Sequence, residues 1–151
     1  MSYSYKELSD SDVALLIELL KVFGDAFGEP DTYQGAVPTQ EYLQGLLVKR
    51  YFIAIVALDE SGGVVGGLAA YELEKFEQER SEIYIYDLAV AEPHRRRGIA
   101  TGLINKLKEV ARERGAYVIF VQADTGDVPA IKLYESLGTR EDVHDFDIAV
   151  D

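Results

Sequence analysis

The sequence predicts an α/β protein, a mixed sheet with helices on both faces. Two observations carry that prediction. Hydrophobic periodicity alternates between helical spacing and short continuous apolar runs, in the order β-α-α-β-β-β-α-β-α-β. The runs Tyr51–Leu58, Glu82–Val90 and Tyr117–Ala123 are apolar along their length, which calls for burial on both sides.

Each element follows from local chemistry. Tyr3–Leu8 reads as a short first strand. Asp10 or Ser11 is placed to cap a helix whose Val13, Leu16, Leu20, Phe23 and Phe27 recur at helical spacing. Gly28-Glu-Pro-Asp31 ends it, the stretch to Pro38 reads as a loop, and Thr39 caps a second helix running to about Lys49. Tyr51–Leu58 is a strand, Asp59–Gly63 a turn, and Val64–Leu73 the antiparallel return, weakened in its middle by Gly66-Gly67. After the charged connection Glu74–Arg80 comes the strand Glu82–Val90. Gly98–Arg114 is a helix with Ile99, Leu103, Leu107 and Val110 on one stripe, closed by Gly115. Tyr117–Ala123 reads as a buried strand. Pro129 opens a last helix striped by Ala130, Leu133 and Leu137 and ended by Gly138, and Glu141–Val150 closes the chain as a final strand.

Composition narrows the function. The 151 residues fit a single domain spanning 1–151, with no repeat, linker or low-complexity tract. With 15 Lys and Arg against 27 Asp and Glu, the net charge of −12 disfavours a nucleic-acid partner and favours a cationic small molecule or basic peptide. Apolar runs such as Val13–Leu20, broken by Glu18, are too short to span a membrane. The start Met1-Ser-Tyr-Ser-Tyr-Lys6 lacks signal-peptide features, so a cytoplasmic location is expected. No cysteine is present to act as nucleophile, disulfide partner or metal ligand, and His94 and His144 lack ligand spacing, so no metal is expected.

One stretch inverts the local charge. Asp87-Leu-Ala-Val-Ala-Glu-Pro-His-Arg-Arg-Arg-Gly-Ile-Ala-Thr101 runs from a strand through three arginines into a helix opened by Gly98. A helix start offers unpaired backbone N–H groups and the positive end of its dipole, and small Gly98 and Ala100 let a diphosphate come close. The plainer reading is a solvated basic turn before an ordinary helix.

Arg95-Arg-Arg-Gly98-Ile-Ala100 resembles the Arg/Gln-x-x-Gly-x-Gly/Ala signature of the GNAT superfamily of acetyl-CoA-dependent N-acetyltransferases. Asp127-Val-Pro-Ala130-Ile-Lys-Leu-Tyr134-Glu-Ser-Leu-Gly138 is similar to the superfamily's Asn-x-x-Ala-x-x-x-Tyr-x-x-x-Gly helix, with Asp127 in place of Asn and Thr139 in place of the common Phe. Phe23–Gly28, Lys75–Gln78, Ser81–Val90, Gly115–Ile119, Val121–Asp124 and Val143–Asp147 resemble more narrowly the aminoglycoside 3-N-acetyltransferases of the gentamicin-modifying type.

The resemblance implies a GNAT fold: α/β, with a mostly antiparallel mixed sheet and a central strand pair splayed by the pantetheine arm of acetyl-CoA. It assigns the backbone of Leu88, Ala89 and Val90 to that arm. The backbone N–H groups from Arg96 to Thr101, with Arg95, Arg97, Gly98, Ile99 and Ala100, fall to the pyrophosphate. Asp127, Ala130 and Tyr134 complete the cofactor set. Asp87, which ends the apolar strand, would hold the acceptor ammonium and take its proton, and Tyr134 would protonate the leaving thiolate. Strand alternation puts Asp145 and Asp147 on one face of the last strand, where with His144 they would bind an aminoglycoside or lie on a solvated face. Asp124, Glu29 and Tyr33 are further acceptor candidates. Homodimers are common in this superfamily. The rival expectations are a polyamine or protein-terminus acetyltransferase and a non-catalytic acetyl-CoA-binding module.

Overall fold

The structure, a computed structural model, describes residues 2–29, 31–35 and 37–151. Met1, Pro30 and Ala36 lie outside these, the last two falling in the loop expected after the first helix. Strand β1 is Ser4–Glu7, α1 is Val13–Phe27, and a single π-helical turn covers Asp31–Gly35. Then follow α2 (Gln40–Leu47), β2 (Phe52–Leu58), β3 (Val64–Glu74) and β4 (Ser81–Val90). A 3₁₀ turn, Glu92–His94, leads to α3 (Ile99–Arg114), β5 (Ala116–Val121) and α4 (Val128–Leu137). The five strands lie side by side in chain order, all antiparallel except β4 and β5. That parallel pair is joined by α3, as a crossover requires. This is the mixed, mostly antiparallel sheet between helices that the sequence predicts.

Strand alternation sorts the apolar side chains into two layers. Ile53, Ile55, Leu68, Ile83 and Ile85 meet Leu103, Leu107 and Val110 of α3, and half-buried Leu133, Tyr134 and Leu137 of α4 join them. Ala54, Val56 and Ala89 meet Leu16, Leu19 and Phe23 of α1 and Leu43 of α2 on the other face. The Thr39 cap forms as expected, its hydroxyl accepting the Tyr42 N–H at 3.1 Å. The α1 cap does not. Asp12 occupies that position rather than Asp10 or Ser11, and its carboxylate accepts from the Ser9 N–H at 2.8 Å and Lys6 at 2.9 Å.

The Gly66-Gly67 pair is fully laddered to both neighbours, so it does not interrupt β3. Its role is close approach. A Cβ on Gly67 would lie 2.5 Å from Leu19 Cδ1 of α1 and 2.7 Å from the Ile55 carbonyl oxygen. The carbonyl belongs to a central strand and cannot yield cheaply. Gly67→Ala is therefore expected to cost about 2 kcal/mol through overpacking, read as a lower urea midpoint. An unchanged midpoint would show that α1 does not sit on β3 as described.

Two expectations are corrected. Tyr117–Ala123 is not buried along its length. The strand stops at Val121, and Tyr117 and Val118 are exposed, because β5 is the last strand of the sheet and has a neighbour on only one side. Glu141–Val150 is not a strand. Residues after Leu137 have no regular structure, and Val143, Phe146, Ile148 and Val150 are 72–100% exposed. The alternation that predicts a strand is present, but among the described residues nothing pairs with it. No helix of these residues is long and apolar enough to cross a membrane.

Candidate active site

The site begins with a bulge. Ala70 of β3 pairs with Ile85, but Ala69 pairs with Asp87, so Tyr86 is an extra residue in β4. One extra residue inverts the facing of everything after it. Ile83 and Ile85 look toward α3, and beyond the bulge Leu88 and Val90 do so, leaving Ala89 on the α1 side. Asp87 shares the face of Ala89 and meets the loop after α1.

At the same level β4 parts from β5. Pairing with β5 stops at Ile85↔Val121, whereas pairing with β3 continues to Val90. Tyr86–Val90 thus has one open backbone edge, which includes the expected Leu88, Ala89 and Val90. The Val90 carbonyl accepts from Arg95 Nε at 2.9 Å, tying the arginine segment to the strand end.

That segment leads into the start of α3. Arg95, Arg96, Arg97 and Gly98 are exposed, Ala100 and Thr101 half-buried, and the Ile99 side chain is core. Arg96 and Gly98 both have left-handed backbone, at φ 64° and φ 78°. Gly98 occupies the N-cap position with no side chain to satisfy the first-turn N–H groups, which stay open toward the arginines. A left-handed arginine is uncommon outside turns. Arg97 also reaches Tyr3 Oη at 3.3 Å, and that hydroxyl lies 2.9 Å from His94 Nδ1.

Asp87 is half-buried, and Tyr33 Oη donates to its Oδ1 at 3.3 Å. Burial pushes the Asp87 carboxyl above its ordinary range, against the Tyr33 hydrogen bond, and the charge of Glu29 adds to the rise. Tyr33 is pushed up to about 12, first by burial and then by the Asp87 charge. Its ring is wedged between Phe23 and Phe27 of α1, with centroids 6.0 and 5.6 Å away. The sequence-predicted Asp87 therefore converges with Tyr33 and Glu29, which lie more than fifty residues earlier in the chain.

Beside them runs an aromatic row that sequence reading missed. Tyr71 meets Tyr86 at 6.1 Å, Tyr86 meets Tyr84 at 5.9 Å, and Tyr84 stacks on Phe120 at 4.8 Å. The tyrosines of Glu-Ile-Tyr-Ile-Tyr-Asp were its only visible signal, and without the strand register they read simply as strand formers.

The other expected residues are more dispersed. Tyr134 packs half-buried against the α3-side core, and burial, then the charge of Asp127, raises its phenol. Asp127 caps α4, its Oδ1 accepting the Ala130 N–H at 3.3 Å. Asp and Asn serve equally there, which accounts for the departure from the motif. Asp124 is exposed beyond β5. His144, Asp145 and Asp147 are exposed on the unpaired tail rather than on a strand. Asp145 bears on the aromatic row, raising Tyr84 behind the larger effects of burial and Tyr86.

The site is thus an open strand edge that leads into the start of a helix behind three arginines, with a half-buried carboxylate at the strand's bend. The chain belongs to the acetyltransferase (GNAT) family, whose profile matches residues 16–139. The crystal structure of an aminoglycoside acetyltransferase, HMB0005, from an uncultured soil metagenomic sample is 61% identical, with a TM-score of 0.98 over 100% of both chains. Another from soil, meta-AAC0020, crystallised in complex with sisomicin, is 33% identical with a TM-score of 0.92 over 99% of this chain and 97% of that one. N-acetyltransferase family 8 member 2 of Rattus norvegicus is 32% identical over 88 residues, 58% of this chain but only 39% of that protein. The chain thus spans well under half the length of such mammalian relatives.

Proposed function

We propose that the protein transfers acetyl from acetyl-CoA to the 3-amino group of 2-deoxystreptamine aminoglycosides, by direct attack in a ternary complex. The observation that carries this reading is the half-buried Asp87 carboxylate, faced by Tyr33 and Glu29 at the point where β4 leaves β5. Full-length likeness to two aminoglycoside acetyltransferases, one crystallised with sisomicin, supports the acceptor class.

The residues fit the donor. The open edge of Leu88–Val90 offers backbone groups to an extended amide-bearing arm, and the first-turn N–H groups of α3 with Arg95–Arg97 suit a diphosphate. Acetyl-CoA supplies an activated thioester carbonyl, and the backbone near Val90 would polarise it. Asp87 holds the acceptor as its ammonium, then takes a proton so that the nitrogen lone pair is free to attack. A raised pKa makes Asp87 a better proton acceptor than an exposed aspartate. Tyr134, whose phenol is kept protonated by burial, donates to the departing sulfur. No cysteine is available to carry the acetyl group between the substrates.

Incubation with sisomicin and acetyl-CoA, followed by NMR of the product, tests the reading. Acetylation shifts confined to the 3-amino position are expected. Acetyl on another amine would overturn the regiochemistry, and turnover of spermidine or peptide amines alone would overturn the acceptor class.

A further inference from the structure

The bulge in β4 sets two neighbouring side chains on one face. Tyr86 meets Tyr71, which packs into the α1-side layer, and Tyr33 reaches Asp87 from that same side. In a regular strand consecutive side chains point to opposite faces, so no ring could stand beside this carboxylate. The extra residue lets Tyr86 and Asp87 face the same way.

Helices cover only part of this face. Among the described residues, the α1-side layer takes Ala89 from β4 and nothing from β5. Tyr84 and Phe120 are left half-buried, and Tyr86 is 63% exposed. Exposed as it is, the Tyr86 ring is held in one attitude. The Tyr71 ring stands at 88° to it and the Tyr84 ring at 81°, both edge-to-face contacts. Tyr84 is fixed in turn, stacked on Phe120 at 4.8 Å and donating through Oη to Gln122 Oε1 at 2.8 Å.

A ring braced but open, next to a carboxylate, suits one kind of ligand. The face of an aromatic ring carries negative charge density, which attracts ammonium groups and the polarised C–H bonds beside them. Asp87 supplies the anionic end, within reach of the Glu29 charge. The complement is a rigid saturated ring with amines on its edge and C–H groups on its face. A linear polyamine has the charges without the face.

We infer that Tyr86 is the platform on which the acceptor's aminocyclitol ring lies while Asp87 holds its amine, and that this platform favours cyclic over linear polycations. The inference rests on the aminoglycoside reading above and adds the residue that gives the site its preference for a ring. Contact with the ring face is the same before and during attack on the thioester, so Tyr86 acts on KM rather than on kcat.

Steady-state kinetics with sisomicin and acetyl-CoA test the platform, using Tyr86→Ala and Tyr86→Phe. Tyr86 is exposed, so neither change should lower Tm noticeably. Tyr86→Ala is expected to raise the KM for sisomicin about 10-fold, the scale of a partly desolvated cation–π contact, with kcat and the KM for acetyl-CoA unchanged. Tyr86→Phe keeps the ring face and should retain the wild-type KM. Spermidine, added as a competing cation, should inhibit the wild type and Tyr86→Ala equally. An unmoved KM in Tyr86→Ala, or a Tyr86→Phe as impaired as the alanine variant, would overturn the platform and leave the aminoglycoside reading standing. Spermidine inhibition that weakens in step with the sisomicin KM would overturn the preference for a ring. A wild type that acetylates no amine of sisomicin would overturn the reading itself, and the inference with it.

Discussion

Asp87→Asn is expected to lower kcat by about 10²- to 10⁴-fold, the range for loss of a general base, while the protein becomes no less stable. The two halves of this result share one cause. Burial raises the Asp87 carboxyl above its ordinary value, with Glu29 adding to it and the Tyr33 hydrogen bond resisting. A carboxyl with a raised folded pKa contributes stability below its unfolded pKa and loses that contribution as pH rises through the folded one. At neutral pH the Asp87 charge is therefore a cost to the fold, and the neutral amide removes it while still accepting from Tyr33. Catalysis has the opposite dependence, because the base must be ionised. The acid limb of the kcat/KM profile should lie above the ordinary aspartate pKa in the wild type and vanish in the variant. Steady-state kinetics against pH, together with thermal melts, measures both. An unchanged kcat would remove Asp87 from the reaction.

The site was legible where its chemistry is contiguous. The arginines, Gly98 and the α3 stripe occupy one stretch of chain, so their juxtaposition follows from a strand-loop-helix reading alone. Asp87 was legible as a strand-end carboxylate, but its facing was not. That depends on the Tyr86 bulge, which is a property of pairing with Ala69 and Ala70 rather than of the β4 sequence. Tyr33 and Glu29 reach Asp87 only because α1 lies across the sheet on Gly67, a contact with no local signature.

The misreadings at the end of the chain have a common physical origin. Hydrophobic pattern reports what a segment requires, not where the requirement is met. Tyr117–Ala123 is apolar enough for a central strand but ends the sheet in this chain, and Glu141–Val150 alternates like a strand but has no ladder. The α1 cap is a smaller case. Asp10, Ser11 and Asp12 are all capable residues, and the Lys6 ion pair is a contact the cap pattern alone did not contain.

Stability should depend most sharply on a charge pair far from Asp87. Glu72 of β3 is 8% exposed, and its carboxylate accepts from Ser81 Oγ at 2.6 Å and from Arg114 Nη1 at 2.8 Å. Arg114, in the last turn of α3, also lies 3.6 Å from Glu7 and donates to the Arg50 carbonyl, so one side chain ties α3 to β1, β3 and the turn before β2. Burial alone would raise the Glu72 carboxyl. The hydrogen bonds from Ser81 and Arg114, with the arginine charge, outweigh it and hold the carboxyl below its ordinary value. Arg114→Gln is expected to cost about 3 kcal/mol by stranding a buried carboxylate, a fall of roughly 10 °C in Tm for a chain of this size. In the wild type the Glu72 contribution is present above the unfolded pKa and is lost as pH falls through the lowered folded one. In the variant burial prevails, the folded pKa rises, and acidification relieves the cost instead. The difference in Tm between the two proteins should thus shrink from about pH 7 to about pH 4, and adding Glu72→Gln to the variant should recover most of the loss at neutral pH. A gap that stays constant with pH would show that Arg114 acts through packing and not through its charge on Glu72.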